Sequence, residues 1–461
     1  MLKSSAAALL TLAVISLFAG PCPTALGATA ESAGEAWSGV VDIEGTKRVE
    51  AGQSLIIAPG TQVRFAKDAV LMVSGRLVAR GTTASPIIFK PQKGEETGSW
   101  QGLLVDGSHV GAELENVRIE RAQTGVWIAN SKVSLQTVQI AWATRGVATQ
   151  GSSRFKLEKV DISDITEIGI DIAPGGEGAI VGCRLARVGG FGIQVGKKAL
   201  AQLTGNTVKG AKIGFALLGG LPPVESNAVE ECEVGIGIAQ ADGDTIISKN
   251  KITRCKLGIA CRQFASPTLE KNVIEECDHG IDCFQASSPV IRHNRLTKNR
   301  HALWLVQMCN PEIRYNDFVD NDVAAHLHLS SYGRFHENNF ERNRLHIELD
   351  NMSYDWEVRA QKKPTRTRKA QLEAQNLKGR SEHLNVRDEV SSDGFVDARG
   401  NYWGPETTAE MTNKGPEANI SSLYDGFDKP TLTYEGWPGA YKVDRIHYDS
   451  WTKERIPDTG P

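Results

Sequence analysis

The second half of this sequence repeats an asparagine at an almost constant interval. Successive members lie 21, 23, 22, 22, 22 and 22 residues apart: Asn206, Asn227, Asn250, Asn272, Asn294, Asn316 and Asn338. An apolar residue stands two positions after each Asn, and a Gly, Ala or His stands eight positions after it. Self-similarity at such a period is typical of repeat architectures, in which each repeat stacks on the next. The phase of the repeat therefore predicts which residues face the core and which face solvent.

The glycine of each repeat continues toward the N-terminus and, with its later replacements, predicts eleven coils: Gly125, Gly146, Gly169, Gly192, Gly214, Gly235, Gly258, Gly280, Ala302, Ala324 and His346. Apolar residues stand at the first and third positions after it, for example Ile170 and Ile172. This alternation is typical of a strand with one buried face. A leucine-rich repeat shares the period but requires apolar residues where Pro267, Pro289 and Pro311 stand. The pattern predicts an all-β solenoid, a parallel β-helix.

Composition along the chain predicts five segments: a signal peptide at 1–30, an N-terminal cap with the first coils at 36–111, regular coils at 112–350, a basic insertion at 351–394, and the last coil with a C-terminal cap at 395–461. Lys3, an apolar run and then small residues are typical of an export signal, which predicts a periplasmic or extracellular protein. The stretch 357–380 is rich in Lys and Arg, so we expect a solvated loop there or a basic finger that touches an acidic polymer. The net charge of −3 argues against a nucleic-acid partner, and no later segment is apolar enough to span a membrane.

Seven cysteines follow the predicted signal: Cys183, Cys232, Cys255, Cys261, Cys277, Cys283 and Cys309. An odd number in an exported protein argues against a fully paired disulfide framework. Cysteine shares columns with Leu and Ile, which indicates small buried hydrophobic residues. The alternative is a thiolate metal site formed by Cys255, Cys277 and His279. Otherwise we expect His279, with His301 stacked on it, to have a structural role at the turn before the glycine.

One column of the predicted strand faces outward, because it lies between two buried positions. In its last four coils it holds Asp282, Trp304, His326 and Glu348. Stacked strands lie ~4.8 Å apart, so this column and the one two residues further on predict one external patch: Arg262, Asp282, Trp304, His326, His328, Glu348 and Asp350.

The residue types in this patch allow several chemistries. The indole of Trp304 suits stacking on a sugar ring, which predicts that the patch binds a substrate polymer. Asp282, His326 and Glu348 are the candidate catalytic residues, since paired carboxylates do acid and base work on glycosidic bonds. The alternative is a solvated polar surface without a ligand.

Three stretches carry a resemblance to a known superfamily. They are 49–100, with Ala58-Pro-Gly-Thr61 and Ala79-Arg-Gly-Thr82, the coils of 114–349, and Asn401-Tyr-Trp-Gly404. The chain resembles the right-handed parallel β-helix (pectate-lyase-like) superfamily, in its carbohydrate-binding and sugar-hydrolase branch. The resemblance implies a right-handed solenoid that binds polymers on its outer face. The polygalacturonase-like and alginate epimerase-like catalytic signatures are absent from the sequence.

A second resemblance concerns metal. The chain is similar to the β-helix protein of nitrous oxide reductase copper maturation, which implies that His326, His328 and Glu348 could bind Cu²⁺ or Zn²⁺.

The sequence as a whole favours an exported protein that binds an extended polymer, such as a polysaccharide, and predicts no cofactor. Three alternatives remain open. One is a polysaccharide lyase or glycosidase, another is a structural envelope protein or adhesin with a protein partner, and the last is periplasmic copper handling.

Overall fold

The computed structural model describes residues 34–94, 96–107, 111–219, 223–241, 245–361 and 394–461. The predicted signal peptide lies outside the described residues, and so does the basic stretch from residue 362 onward.

The described chain winds into a parallel β-solenoid of about 14 turns with about 22 residues in each coil. About 53% of the structure is strand and 4% is helix, which confirms the predicted all-β class. Each full coil contributes a strand to three sheets, named A, B and C in chain order. Sheets B and C are hydrogen-bonded into one because β20 and β22 continue from one to the other.

Sheet A contains β1 (Glu35–Trp37), β4 (Ser54–Ile57), β7 (Arg76–Arg80), β10 (Gly111–Glu115), β13 (Lys132–Gln136), β16 (Arg154–Glu158), β19 (Glu177–Val181), β21 (Leu200–Thr204), β23 (Val224–Glu225), β26 (Ile246–Ser248), β29 (Thr268–Glu270), β32 (Val290–Arg292), β35 (Glu312–Arg314) and β38 (Arg334–His336).

Sheet B contains β2 (Val40–Ile43), β5 (Gln62–Phe65), β8 (Ile87–Pro91), β11 (Val117–Glu120), β14 (Gln139–Ala141), β17 (Asp161–Ile165), the first parts of β20 (Arg184–Val195) and β22 (Thr207–Leu218), β24 (Ala228–Glu230), β27 (Lys251–Thr253), β30 (Val273–Glu275), β33 (Arg295–Thr297), β36 (Asp317–Val319) and β39 (Asn339–Glu341).

Sheet C contains β3 (Thr46–Val49), β6 (Val70–Val73), β9 (Trp100–Asp106), β12 (Ala122–Ala129), β15 (Arg145–Gln150), β18 (Ile168–Ile172), the second parts of β20 and β22, β25 (Val234–Ala239), β28 (Leu257–Arg262), β31 (His279–Phe284), β34 (His301–Val306), β37 (Val323–His328), β40 (Leu345–Asp350) and β42 (Leu423–Tyr424).

The asparagine column forms a buried ladder between sheets A and B, as the sequence predicts. In each step, the Oδ1 atom of one Asn accepts hydrogen bonds of 2.8–3.0 Å from the backbone N–H and the side-chain Nδ2 of the Asn one coil earlier. Each Nδ2 also donates to a backbone carbonyl, as Asn294 Nδ2 does to Leu269 O at 2.8 Å. The ladder satisfies turn groups that have lost contact with water.

The seven cysteines are buried and free, in agreement with their interpretation as small hydrophobic residues. The thiols of Cys255 and Cys277 point to backbone carbonyls, at 3.5 Å from Thr253 O and 3.4 Å from Glu275 O. His279 instead bonds to Asp282 on the outer side of the wall. Among the described residues, Cys255, Cys277 and His279 do not form one of the groups whose donor atoms lie close enough to share a metal ion.

The C-terminal end of the solenoid is closed by a short mixed segment. It contains α1 (Tyr354–Gln361), β41 (Phe395–Asp397), α2 (Gly404–Lys414), β43 (Thr431–Leu432), β44 (Tyr441–Lys442) and β45 (Arg445–His447). Strand β41 pairs in parallel with β45, and β43 pairs antiparallel with β44. Trp403 and Met411 are buried in the same continuous core as the coils. Within the described residues, no helix has the length and apolar character needed to cross a bilayer.

Candidate functional site

The predicted outward column exists as an in-register row on sheet C. Asp282, Trp304, His326 and Glu348 are successive Cα partners in β31, β34, β37 and β40. An open depression of about 410 Å³ lies over this row. It is lined by six of the seven predicted patch residues, Arg262, Asp282, Trp304, His326, His328 and Asp350, and also by Phe284 and Val306. The remaining predicted residue, Glu348, lies one coil beyond His326 and bonds to it. The residues that the period of the repeat predicts to share a face therefore lie close together in the structure.

Two histidines outside the predicted patch, His279 and His301, lie beside it in the structure. His279 and His301 stand one position before the glycine column, at the start of β31 and β34. In the register of β31 and β34, His279 is opposite His301, and the next paired residues are Ile281 and Leu303. The alternation of inward and outward side chains is therefore interrupted at Gly280. A Cβ atom at Gly280 would lie 2.6 Å from the carbonyl oxygen of Ala302, which shows how closely the chains approach there. Because of this interruption, His279 and Asp282 reach the same outer face although three positions separate them.

We define the histidine cluster as His279, His301, His326 and His328 together with Asp282, Glu348 and Asp350. Two of its members are shielded from solvent. Asp282 is 5% exposed and His326 is 6% exposed, although both point away from the core. Side chains of neighbouring coils cover them, so their polar atoms need partners inside the cluster.

Trp304 is the centre of an aromatic stack that runs along the solenoid. The His279 ring lies 4.5 Å from the indole on one side, and the His326 ring lies 3.9 Å from it on the other, with interplanar angles of 18° and 6°. His301 meets the indole edge-on at 4.6 Å. Both faces of the indole are therefore covered by imidazoles. The predicted stacking of a sugar ring on Trp304 does not fit this geometry, since only the edge of the indole remains available.

Three of the four imidazoles are paired with a carboxylate through the same ring atom. His279 Nδ1 lies 2.8 Å from Asp282 Oδ2, His326 Nδ1 lies 2.8 Å from Glu348 Oε2, and His328 Nδ1 lies 2.9 Å from Asp350 Oδ2. The hydrogen bond from His326 lowers the pKa of Glu348, and the bond from His328 lowers the pKa of Asp350. Both carboxyl groups are therefore ionised at neutral pH and can only accept.

An ionised acceptor determines the tautomer of its imidazole partner. The Nδ1 atom must carry the proton that it donates, so the lone pair of the neutral ring resides on Nε2. The same arrangement, carboxylate–imidazole–metal, orients histidine ligands in metal sites and makes them more basic. The cluster therefore presents three imidazoles whose Nε2 atoms are prepared to act as donors to a metal ion.

Asp282 has a further partner that fixes its role. Arg262 Nη1 lies 2.5 Å from Asp282 Oδ1, while Oδ2 bonds to His279. The Arg262 guanidinium also lies over the Phe284 ring, at 5.7 Å from its centroid. Both oxygens of this buried carboxylate thus have hydrogen-bond partners, and Asp282 orients His279.

Two imidazole nitrogens of the cluster are buried without a hydrogen-bond partner among the described residues: His301 Nδ1 and His326 Nε2. Burial, together with the neighbouring imidazoles of His279 and His326, lowers the pKa of His301 to about 4. His301 is therefore neutral at physiological pH, with its lone pair free for a ligand. Unpaired buried polar atoms of this kind call for a specific partner.

The described residues contain two groups whose donor atoms lie within 4.8 Å of one another. The first group is His301, His326 and Glu348, and the second is His326, His328 and Asp350. The three residues predicted as weak metal candidates, His326, His328 and Glu348, are divided between these groups. His301 could have been found from the sequence, because His279 and His301 occupy the same position of the repeat in consecutive coils.

Two family models match parts of this chain. The family model described as periplasmic copper-binding protein (NosD) matches residues 223–407, a range that includes the whole histidine cluster. The model described as right handed beta helix region matches residues 96–229. A comparison with curated proteins gives no match.

Among solved structures, the periplasmic alginate epimerase AlgG is 11% identical with a TM-score of 0.30, and the match covers 68% of this chain and 74% of that one. Pectate lyase Pel9A is 10% identical with a TM-score of 0.29, over 60% and 70% of the two chains. The tailspike of E. coli bacteriophage HK620 is 11% identical with a TM-score of 0.30, over 66% and 69%. With the coils described above and the β-helix family match, the chain has the pectate-lyase-like fold, a right-handed parallel β-helix.

Proposed function

We propose that this protein is an exported metal-handling protein that holds a copper-class ion, Cu(II), as cargo in its histidine cluster. The observation that carries the proposal is the set of three imidazoles held through Nδ1 by carboxylates, so that their Nε2 lone pairs are free. The unpaired buried nitrogens of His301 and His326 supply two donors that a bound ion would satisfy. The match of residues 223–407 to a periplasmic copper-binding family supports both the metal and the compartment.

The donor set favours particular ions. Imidazole nitrogens and carboxylate oxygens suit Cu(II) and Zn(II), and the order of affinities for divalent ions places Cu(II) above Zn(II). Cu(I) prefers sulfur donors, and the two donor groups found among the described residues contain none. Since His301 is neutral at physiological pH, no proton has to leave it before it binds.

The test is a titration of the full-length protein with Cu(II) and Zn(II), measured by calorimetry. Wild type should bind Cu(II) more tightly than Zn(II). His326→Gln should lose at least about 10-fold in affinity, because it removes the imidazole common to both donor groups. The matched control is His293→Gln, since His293 lies outside the cluster and stacks on Tyr315. Equal affinities for wild type, control and His326→Gln would place the metal elsewhere and refute the proposal.

A second candidate function is the binding of an extended polymer along sheet C. The open depression beside the cluster, with Arg262 and Phe284 on its wall, supports it. The protein would be incubated with acidic and neutral polysaccharides, and polymer size would be followed by chromatography. Co-elution with intact chains would support a binding role, and shortened chains would indicate a lyase or glycosidase. If the polymers neither co-elute with the protein nor become shorter, metal binding remains the function of this face.

A further inference from the structure

The two donor groups of the histidine cluster overlap in one residue. His326 belongs to the group with His301 and Glu348 and also to the group with His328 and Asp350. Its ring lies 5.7 Å from His301 on one side and 6.2 Å from His328 on the other. A neutral imidazole has a single lone pair, so His326 can serve one ion at a time. The two groups are therefore alternative positions for the same ion.

The two positions differ in their access to solvent. In the group with His328 and Asp350, these side chains are 23% and 44% exposed. In the group with His301 and Glu348, the Glu348 side chain is 27% exposed and the His301 Nδ1 atom is buried. We call the group with His328 the outer station and the group with His301 the inner station.

Resting on the metal-binding function proposed above, we propose that the cluster is a two-station transfer path for one ion. The ion enters at the outer station, where His328 Nε2 binds it, and passes to the inner station, where His301 Nδ1 binds it, while His326 Nε2 remains bound throughout. The step is a ligand exchange, in which the bond to the His328 imidazole is replaced by a bond to the His301 imidazole, while Glu348 and Asp350 keep their hydrogen bonds to Nδ1 of His326 and His328. The ion keeps its oxidation state, so the exchange needs no oxidant or reductant.

The stack around Trp304 supports this order of events. The indole packs against the ring face of His326 at 3.9 Å and meets the edge of the His301 ring at 4.6 Å, so these two imidazoles of the inner station are held in place before any ion arrives. Among the described residues, the ring of His328 has no contact with the indole, and it lies 6.2 Å from the ring of His326. A preorganised inner station binds more tightly, whereas an exposed outer station exchanges ligands more readily.

The test separates the rate of uptake from the affinity at equilibrium. Cu(II) uptake by the full-length protein would be followed by stopped-flow tryptophan fluorescence, and affinity and stoichiometry by calorimetry. His328→Asn should slow uptake about 10-fold or more and change the equilibrium affinity less than about 3-fold. His301→Asn should keep fast uptake and lose about 10-fold or more in affinity. Wild type should bind one ion per chain, and His293→Gln serves as the control for both readouts.

Electron paramagnetic resonance provides a second readout that does not depend on rates. The early spectrum of freeze-quenched wild type should match that of His301→Asn, and its final spectrum should match that of His328→Asn. Two ions per chain, or equal losses of affinity in both variants, would overturn the transfer path and leave metal binding intact. Absence of Cu(II) binding by wild type would refute both proposals. Thermal unfolding of each variant confirms that it is folded.

Discussion

At the scale of single residues, the candidate site depends on which atom of each imidazole is already engaged. Counting along the repeat predicted that Asp282, His326 and Glu348 share a face. The count could not predict that Glu348 bonds to Nδ1 of His326, because that contact depends on the rotamers of two side chains in different coils. This bond leaves the Nε2 lone pair of His326 available to a ligand, as the proposed metal site requires.

Replacing Glu348 with Gln tests this role without changing the size of the side chain. We expect the Cu(II) affinity to fall by about 10- to 100-fold, because a neutral amide no longer fixes the tautomer or raises the basicity of His326. The affinity would be measured by calorimetry. Glu270→Gln is the matched control, since Glu270 pairs with Arg292 on sheet A, outside the cluster. An unchanged affinity would show that Glu348 does not act through His326.

At the scale of structural elements, the asparagine ladder and the strand alternation were predicted correctly, because each depends only on period. The exception is the glycine column. A close backbone approach at Gly280 interrupts the alternation, and residues on either side of it then share the outer face. The position of His279 and His301 at the turn before the glycine predicted a structural role for them, and the structure places them in the cluster.

Removing one rung of the ladder should destabilise the solenoid strongly. Asn294→Ala removes the acceptor of the Asn272 backbone N–H, one acceptor of the Asn272 Nδ2 atom and the side-chain donor to the carbonyl of Leu269, all inside the core. Each unsatisfied buried group costs about 1–3 kcal/mol, so we expect a loss of at least about 3 kcal/mol in the free energy of unfolding. Urea unfolding would measure it, with Asn419→Ala as the control because Asn419 is exposed. Equal midpoints for the two variants would contradict a stabilising ladder.

The C-terminal segment contains an acid pair that should make stability depend on pH. The Tyr332 hydroxyl lies 2.9 Å from Glu357 Oε1 and 3.0 Å from Asp444 Oδ2, and it has one proton to donate. Burial raises the pKa of Asp444 to about 6 and also raises the pKa of Glu357. Between about pH 4 and pH 6 the folded Asp444 holds a proton that the unfolded one has lost, so its contribution to stability falls as pH rises through this window.

Asp444→Asn should remove this dependence, because the amide stays neutral while its oxygen can still accept from the Tyr354 N–H, now 2.8 Å away. We expect the unfolding temperature of the variant, relative to wild type, to be higher at pH 7 than at pH 4.5. Circular dichroism melts at both pH values measure it. Parallel curves for the two proteins would show that Asp444 does not titrate in this range.

At the scale of the whole molecule, the solenoid continues across the insertion that interrupts its sequence. Asn401 Oδ1 accepts hydrogen bonds of 2.8 Å and 3.0 Å from Asn338, although 63 residues separate them. Tyr402 O accepts from the Phe340 N–H at 2.8 Å, and β42 pairs with β40. The last coil is thus completed by residues that follow the insertion.

Replacing residues 362–393 with a short Gly/Ser linker should therefore preserve the fold. We expect an unchanged circular dichroism spectrum, a similar unfolding temperature and unchanged Cu(II) affinity, since the contacts that close the solenoid and form the cluster are made by residues outside this range. Loss of cooperative unfolding would contradict this. The same variant tests the prediction of a basic finger, which requires that its removal weakens binding to acidic polysaccharides.

The sequence alone determined the class of fold, the phase of the coils and the row from Asp282 to Glu348, because a solenoid repeats one local geometry and a period can be counted. Three features were decided only by the tertiary structure. They are the entry of His279 and His301 into the cluster, the covering of both faces of Trp304, and the pairing of imidazoles with carboxylates. Each depends on contacts between side chains of different coils near the place where strand alternation is interrupted. The period of the sequence specifies neither the rotamers of these side chains nor the position of that interruption.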